Sequence, residues 1–153
     1  MADSDRLSLA QKFNLHSRET VDVDLVDDEV EDDEYRAFAV SPQANQRAEM
    51  IDIVSRDGKR QAFAYSHLYR VLFDPETGIE LRFSEHHVFL QGLRLLSGYK
   101  RLQRQRVERV VEADSVTAKL YGREGTVITG VEIVPIQILE QRARAKSLAV
   151  ADL

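Results

Sequence analysis

Between residues 50 and 91 apolar side chains recur at every second position in short runs, and each run ends in a cluster of turn-forming residues. A period of two sends alternate side chains to opposite faces of an extended chain, so these runs predict half-buried strands. Residues 50–54 form the first, closed by Arg56-Asp57-Gly58-Lys59, where Asp-Gly tolerates the positive φ of a tight type I′ hairpin turn. Residues 61–65 are expected to pair back. The alternation continues through His67, Tyr69, Val71 and Phe73, with a break near Ser66. Asp74-Pro75-Glu76-Thr77-Gly78 then supplies a turn in which Pro75 presets φ and Gly78 accepts the exit. Ile79, Leu81 and Phe83 face one way while Glu80, Arg82 and Ser84 face the other, and a turn at 84–86 leads into a strand over 87–91.

After Gly92 the period changes. Leu95, Tyr99 and Leu102 lie at i, i+4 and i+7, one face of an amphipathic helix, with Lys100, Arg101 and Arg104 directed away from it. Gly98 costs about 1 kcal/mol relative to Ala in a helix interior, so Ser97 is a candidate cap for a late start. Residues 107–111 read as a strand, and residues 116–121 and 126–134 read as a hairpin around Gly122-Arg123-Glu124-Gly125. Past Pro135, Ile136, Leu139 and Ala143 have helical spacing, which predicts a short C-terminal helix or tail. The fold class expected is α+β: a mainly antiparallel, curled sheet packed with one amphipathic helix.

The N-terminal stretch has a different text. Val21, Val23 and Leu25 alternate with Asp22 and Asp24, and Asp27 to Glu34 supplies seven carboxylates in eight residues. Such charge density repels itself in a compact state and predicts a disordered acidic arm. Residues 1–36 hold 12 of the 26 acidic side chains against four basic ones, net −8, whereas residues 37–153 carry 17 Lys or Arg against 14 Asp or Glu, net +3. The organisation expected is an arm over 1–45, a compact domain over 46–136 and a C-terminal piece over 137–153, within the size of a single core. There is no cysteine, which excludes thiolate catalysis and Cys-ligated metals. No apolar run approaches the roughly 20 residues of a membrane span, and Asp3 and Asp5 stand where a secretory leader carries positive charge, so a cytoplasmic address is expected.

Catalytic chemistry is thinly represented. The glycines are isolated at turns, and neither a phosphate-binding Gly-rich loop nor a Gly-x-Ser-x-Gly elbow occurs. Glu85 and His87 share a strand face at i and i+2, and His67 is the remaining imidazole that could complete a metal site of hydrolytic type. His86 points to the opposite face. Histidines at a hairpin turn are more often structural than ligating, because ligation needs convergence as well as residue type. No cofactor is expected.

Arg94, Lys100, Arg101, Arg104, Arg106 and Arg109 place six cations against Glu108 alone within sixteen residues. The leading expectation is a small non-enzymatic interaction or regulatory module. It would contact a protein partner through a sheet edge and the basic helix, with Arg94, Lys100, Arg101, Arg104 and Arg106 as contact residues, screened by its own acidic arm. The alternative is a nucleic acid bound by the same helix, with Tyr65, Tyr69, Phe83 and Tyr99 available for base stacking; a body charge of +3 is low for a dedicated binder. A metal-dependent hydrolase built on Glu85, His87 and His67 is the third reading. The open edges of an unclosed sheet also make a homodimer an expectation, with residues 136–139 as one candidate covering segment.

Overall fold

The computed structural model describes residues 34–43 and 45–151. The chain divides after Tyr35, and the elements described all belong to the unit Arg36–Leu153. In chain order they are β1 (Phe38–Val40), β2 (Met50–Val54), β3 (Arg60–Ala64), a 3-10 turn (Tyr65–His67), β4 (Leu68–Asp74), β5 (Gly78–Phe83), β6 (His86–Leu93), α1 (Leu96–Gln103), β7 (Val107–Val111), α2 (Ser115–Tyr121), β8 (Val127–Pro135) and α3 (Ile136–Ala151). The class is α+β. The mainly antiparallel strands expected are arranged as two four-stranded sheets, ordered β1-β7-β2-β3 and β4-β5-β6-β8. Strand neighbours are antiparallel except β2 and β7, which run parallel. The predicted disordered acidic arm lies, as far as residue 33, outside the described residues. β1 is an addition to the sequence reading, which began the compact domain at residue 46.

The inward faces are those that the alternation picked out. Ile51 and Ile53 of β2 and Ile79, Leu81 and Phe83 of β5 are buried, as are Val88 and Leu90 of β6. Burying an aliphatic or Phe side chain contributes about 1.5–3 kcal/mol, so these strands carry much of the stability. Phe63 of β3 stacks on Phe83 with ring centroids 4.7 Å apart, a direct contact between the two sheets. Leu95 and Leu102 turn α1 inward, and Tyr99 stacks on Phe73 of β4 at 5.6 Å. Gly98, an apparent flaw in this helix, lies against Phe38: a Cβ there would collide with the ring. No side-chain cap starts α1, so Ser97 does not play that part.

Two local expectations are overturned. The β2–β3 connection is a three-residue loop: Ser55 N–H donates to Lys59 O at 2.8 Å, Gly58 N–H donates to Ser55 O at 2.9 Å, and Gly58 has φ 88°. Only the glycine adopts positive φ, the arrangement of a turn followed by a left-handed residue rather than type I′. Residues 116–121, expected as a strand, lie in helix α2. The Asp114 carboxylate accepts the Thr117 N–H at 2.7 Å, capping the helix and outweighing the β-branched character of Val116 and Thr117.

Candidate functional site

The five basic residues expected to meet a partner fall into two groups. Arg94 sits at φ 56°, directly after β6, and its guanidinium donates to three carbonyls: Gly122 O at 2.7 Å, Gly125 O at 2.9 Å and Arg123 O at 2.7 Å. Arg106 donates to Gln43 O at 2.9 Å and Ser41 O at 3.1 Å, holding the segment after β1. Both cations are engaged inside the unit. Lys100, Arg101 and Arg104 are exposed, and among the described residues their side chains have no hydrogen bond or ion pair. Lys100 and Arg101 lie in the last turn of α1 and Arg104 at its exit. Of the four aromatic residues considered for base stacking, Tyr65 and Phe83 are buried, Tyr99 faces Phe73, and Tyr69 is exposed.

His67, Glu85 and His86 line one cleft, whereas His87 is turned to Glu80. His67 Nδ1 lies 3.2 Å from Ser84 Oγ, and His87 Nδ1 lies 3.4 Å from Glu80 Oε1 on the outward face of β5 and β6. Glu80 also accepts from Arg82 Nη2 at 3.1 Å. His86 faces the other way, edge-on to Phe63 at 5.6 Å. Among the described residues no three His, Asp or Glu side chains stand where they could hold a metal ion. Tyr65, whose hydroxyl donates to Val107 O at 2.6 Å, is pushed well above the ordinary phenol range by burial, which suits a structural strut.

The most open constellation lies along β3. It is the outermost strand of its sheet and pairs with β2 in unbroken register from Met50↔Ala64 to Val54↔Arg60. Ser55 N–H donates to Lys59 O at one end and Tyr65 N–H to Glu49 O at the other. Antiparallel bonding alternates, so Gln61 and Phe63 turn their peptide groups toward β2 while Ala62 turns its N–H and C=O outward, as Ala64 does its N–H. Among the described residues these outward groups of Ala62 and the Ala64 N–H have no partner. A cleft of about 450 Å³ lies beside them, lined by Gln61 to Ala64 together with His67, Phe83, Ser84, Glu85 and His86. Ala64 also borders a second cleft of about 550 Å³ that includes Arg47, Met50 and Gln105, the residue following Arg104. The exit of the basic helix thus comes close to one end of the open strand.

Other edges are managed differently. On the far side of β8, Glu112 Oε2 accepts the Val131 N–H at 2.9 Å, Arg56 Nη2 donates to Thr129 O at 2.6 Å, and Ala113 N–H donates to Ile128 O at 2.8 Å. The pairings of β1 and β4 each contain a register shift. Bulges and side-chain stitches blunt an edge against further pairing, and the pairing of β3 with β2 contains no register shift. Sequence reasoning anticipated a sheet edge in recognition but named no residue of it, because strand order is a long-range property. The local signal available was a pair of alanines, Ala62 and Ala64, in an otherwise regular strand.

No helix among the described residues is long and apolar enough to cross a membrane. Compared with known proteins, the chain matches no family model, no curated protein and no solved structure.

Proposed function

We propose that this chain is a non-enzymatic recognition module that captures an extended segment of a protein partner as an added strand on β3, with Lys100, Arg101 and Arg104 attracting acidic residues of that partner. The observation that carries the reading is the outward N–H and C=O of Ala62, unpaired among the described residues beside a cleft that Phe63 and Phe83 help to line. Strand addition supplies affinity through main-chain hydrogen bonds, and pockets beside the edge supply selectivity. Arg94 and Arg106, whose guanidiniums are engaged by carbonyls, belong to the scaffold of the site rather than to its contact surface.

Fluorescence anisotropy with a labelled peptide of alternating Val and Asp tests the reading. Ala62→Pro removes the outward donor without removing a bond to β2, a position where an edge strand accepts proline. The peptide is expected to bind the native protein and to lose binding to Ala62→Pro, with thermal unfolding little changed. Reversing Lys100, Arg101 and Arg104 together to Glu is expected to weaken binding about 10-fold or more, since exposed ion pairs contribute about 0–1 kcal/mol each. Binding that survives Ala62→Pro unchanged would sink strand addition. Salt-sensitive binding of a labelled oligonucleotide, lost on charge reversal but not with Ala62→Pro, would point to the nucleic-acid reading instead.

A further inference from the structure

We infer that the captured segment is read through one aromatic side chain: a residue next to the one bonded to Ala62 enters the cleft beside β3, which favours a large ring there and rejects a carboxylate. The inference rests on the proposed strand addition and names the side chain that the site prefers. Successive residues of a strand point to opposite faces. A residue directly opposite Ala62 therefore shares the outward face of Ala62, and its two neighbours share the face of Phe63, which is buried.

The cleft continues that inner face past the edge. Phe63 stacks on the buried Phe83 with ring centroids 4.7 Å apart, His86 stands edge-on to Phe63 at 5.6 Å, and all three line the cleft. Its volume of about 450 Å³ lies within the roughly 300–1,000 Å³ of sites that hold small organic ligands, enough for one indole. Rings so placed receive another ring edge-on or offset, an attraction that adds to the area an aromatic side chain buries.

Charge sharpens the choice. Glu85 is exposed on the same cleft, and a carboxylate carried into it would meet a like charge. A slip of one residue moves every side chain of an added strand to the other face. An alternating Val-Asp segment accordingly has one favoured phase, with its valines toward the cleft and its aspartates away from it.

The chain contains no tryptophan, so a tryptophan placed in the peptide is the only indole in the complex. Trp in place of one central Val is expected to tighten binding about 10-fold and to shift the indole emission to the blue as the ring leaves water. Trp in place of one central Asp is expected to do neither. Ser84→Phe fills the cleft from an exposed position while keeping the main-chain bond from residue 84 N–H to His67 O, and is expected to abolish the gain of Trp over Val. Glu85→Gln, also at an exposed position, is expected to narrow the difference between the two tryptophan peptides. Equal affinity and equal emission for the two peptides, bound in an Ala62-dependent way, overturn the role of the cleft and leave strand addition standing. A blue shift that survives Ser84→Phe overturns it too, since the ring then sits elsewhere. If the peptide with Trp in place of Val keeps its affinity and its blue shift on Ala62→Pro, strand addition falls while the cleft stands as an aromatic site.

Discussion

Arg94 is held in the left-handed region at φ 56°, a conformation that costs an ordinary side chain roughly 1 kcal/mol or more. Its compensation is visible: one guanidinium gathers three carbonyls of the loop between α2 and β8, while its own carbonyl accepts the Thr126 hydroxyl at 3.0 Å. Arg94→Met keeps the length and removes every donor. It is expected to lower stability by about 1–3 kcal/mol in urea unfolding, the range for hydrogen bonds from a charged group, without altering peptide capture. Asp114 acts through its charge. The Thr117 N–H holds its carboxyl below the usual carboxylate range. A depressed folded value means that its contribution is fully present above the unfolded value and is lost as pH falls through the folded one. Acidification should accordingly lower the protection of the Thr117 amide, its exchange rate taken relative to the intrinsic rate at each pH, and Asp114→Asn, which retains an accepting oxygen, should remove that pH dependence.

At the level of elements, what the sequence could reveal depended on whether the determining interaction was local. The period-two pattern of Ile79, Leu81 and Phe83 is contained in one strand, and all three side chains are buried as it implied. The α1 stripe of Leu95, Tyr99 and Leu102 is local too, although Gly98 within it looked like a defect. Its reason lies sixty residues away in Phe38. Gly→Ala in a helix interior ordinarily adds about 1 kcal/mol of stability. Here the sign inverts: Gly98→Ala is expected to destabilise by about 1–3 kcal/mol, the cost of overpacking, and Phe38→Leu in the same chain should recover part of the loss in a double-mutant cycle. The strand expected over 116–121 failed for the opposite reason, since one cap at Asp114 decided between helix and strand where composition favoured the latter. Strand order was not legible, and with it the site, because nothing inside residues 60–64 says that β3 is outermost.

For the unit as a whole, the decisive residue is Glu112. Its side chain is 9% exposed, and it ties the β2–β3 loop to β8: Oε1 accepts the Arg56 N–H at 2.9 Å, and Oε2 accepts the Val131 N–H at 2.9 Å. The stitch joins the two sheets at the corner where Glu112 bridges Ile128, and it occupies β8 groups that would otherwise face outward. Glu112→Ala leaves both N–H groups without their acceptor, at a cost of about 1–3 kcal/mol for each group that water does not reach. Glu112→Ala is therefore expected to lower the melting temperature, and an unchanged melting temperature would mean that water serves both N–H groups as well as the carboxylate does.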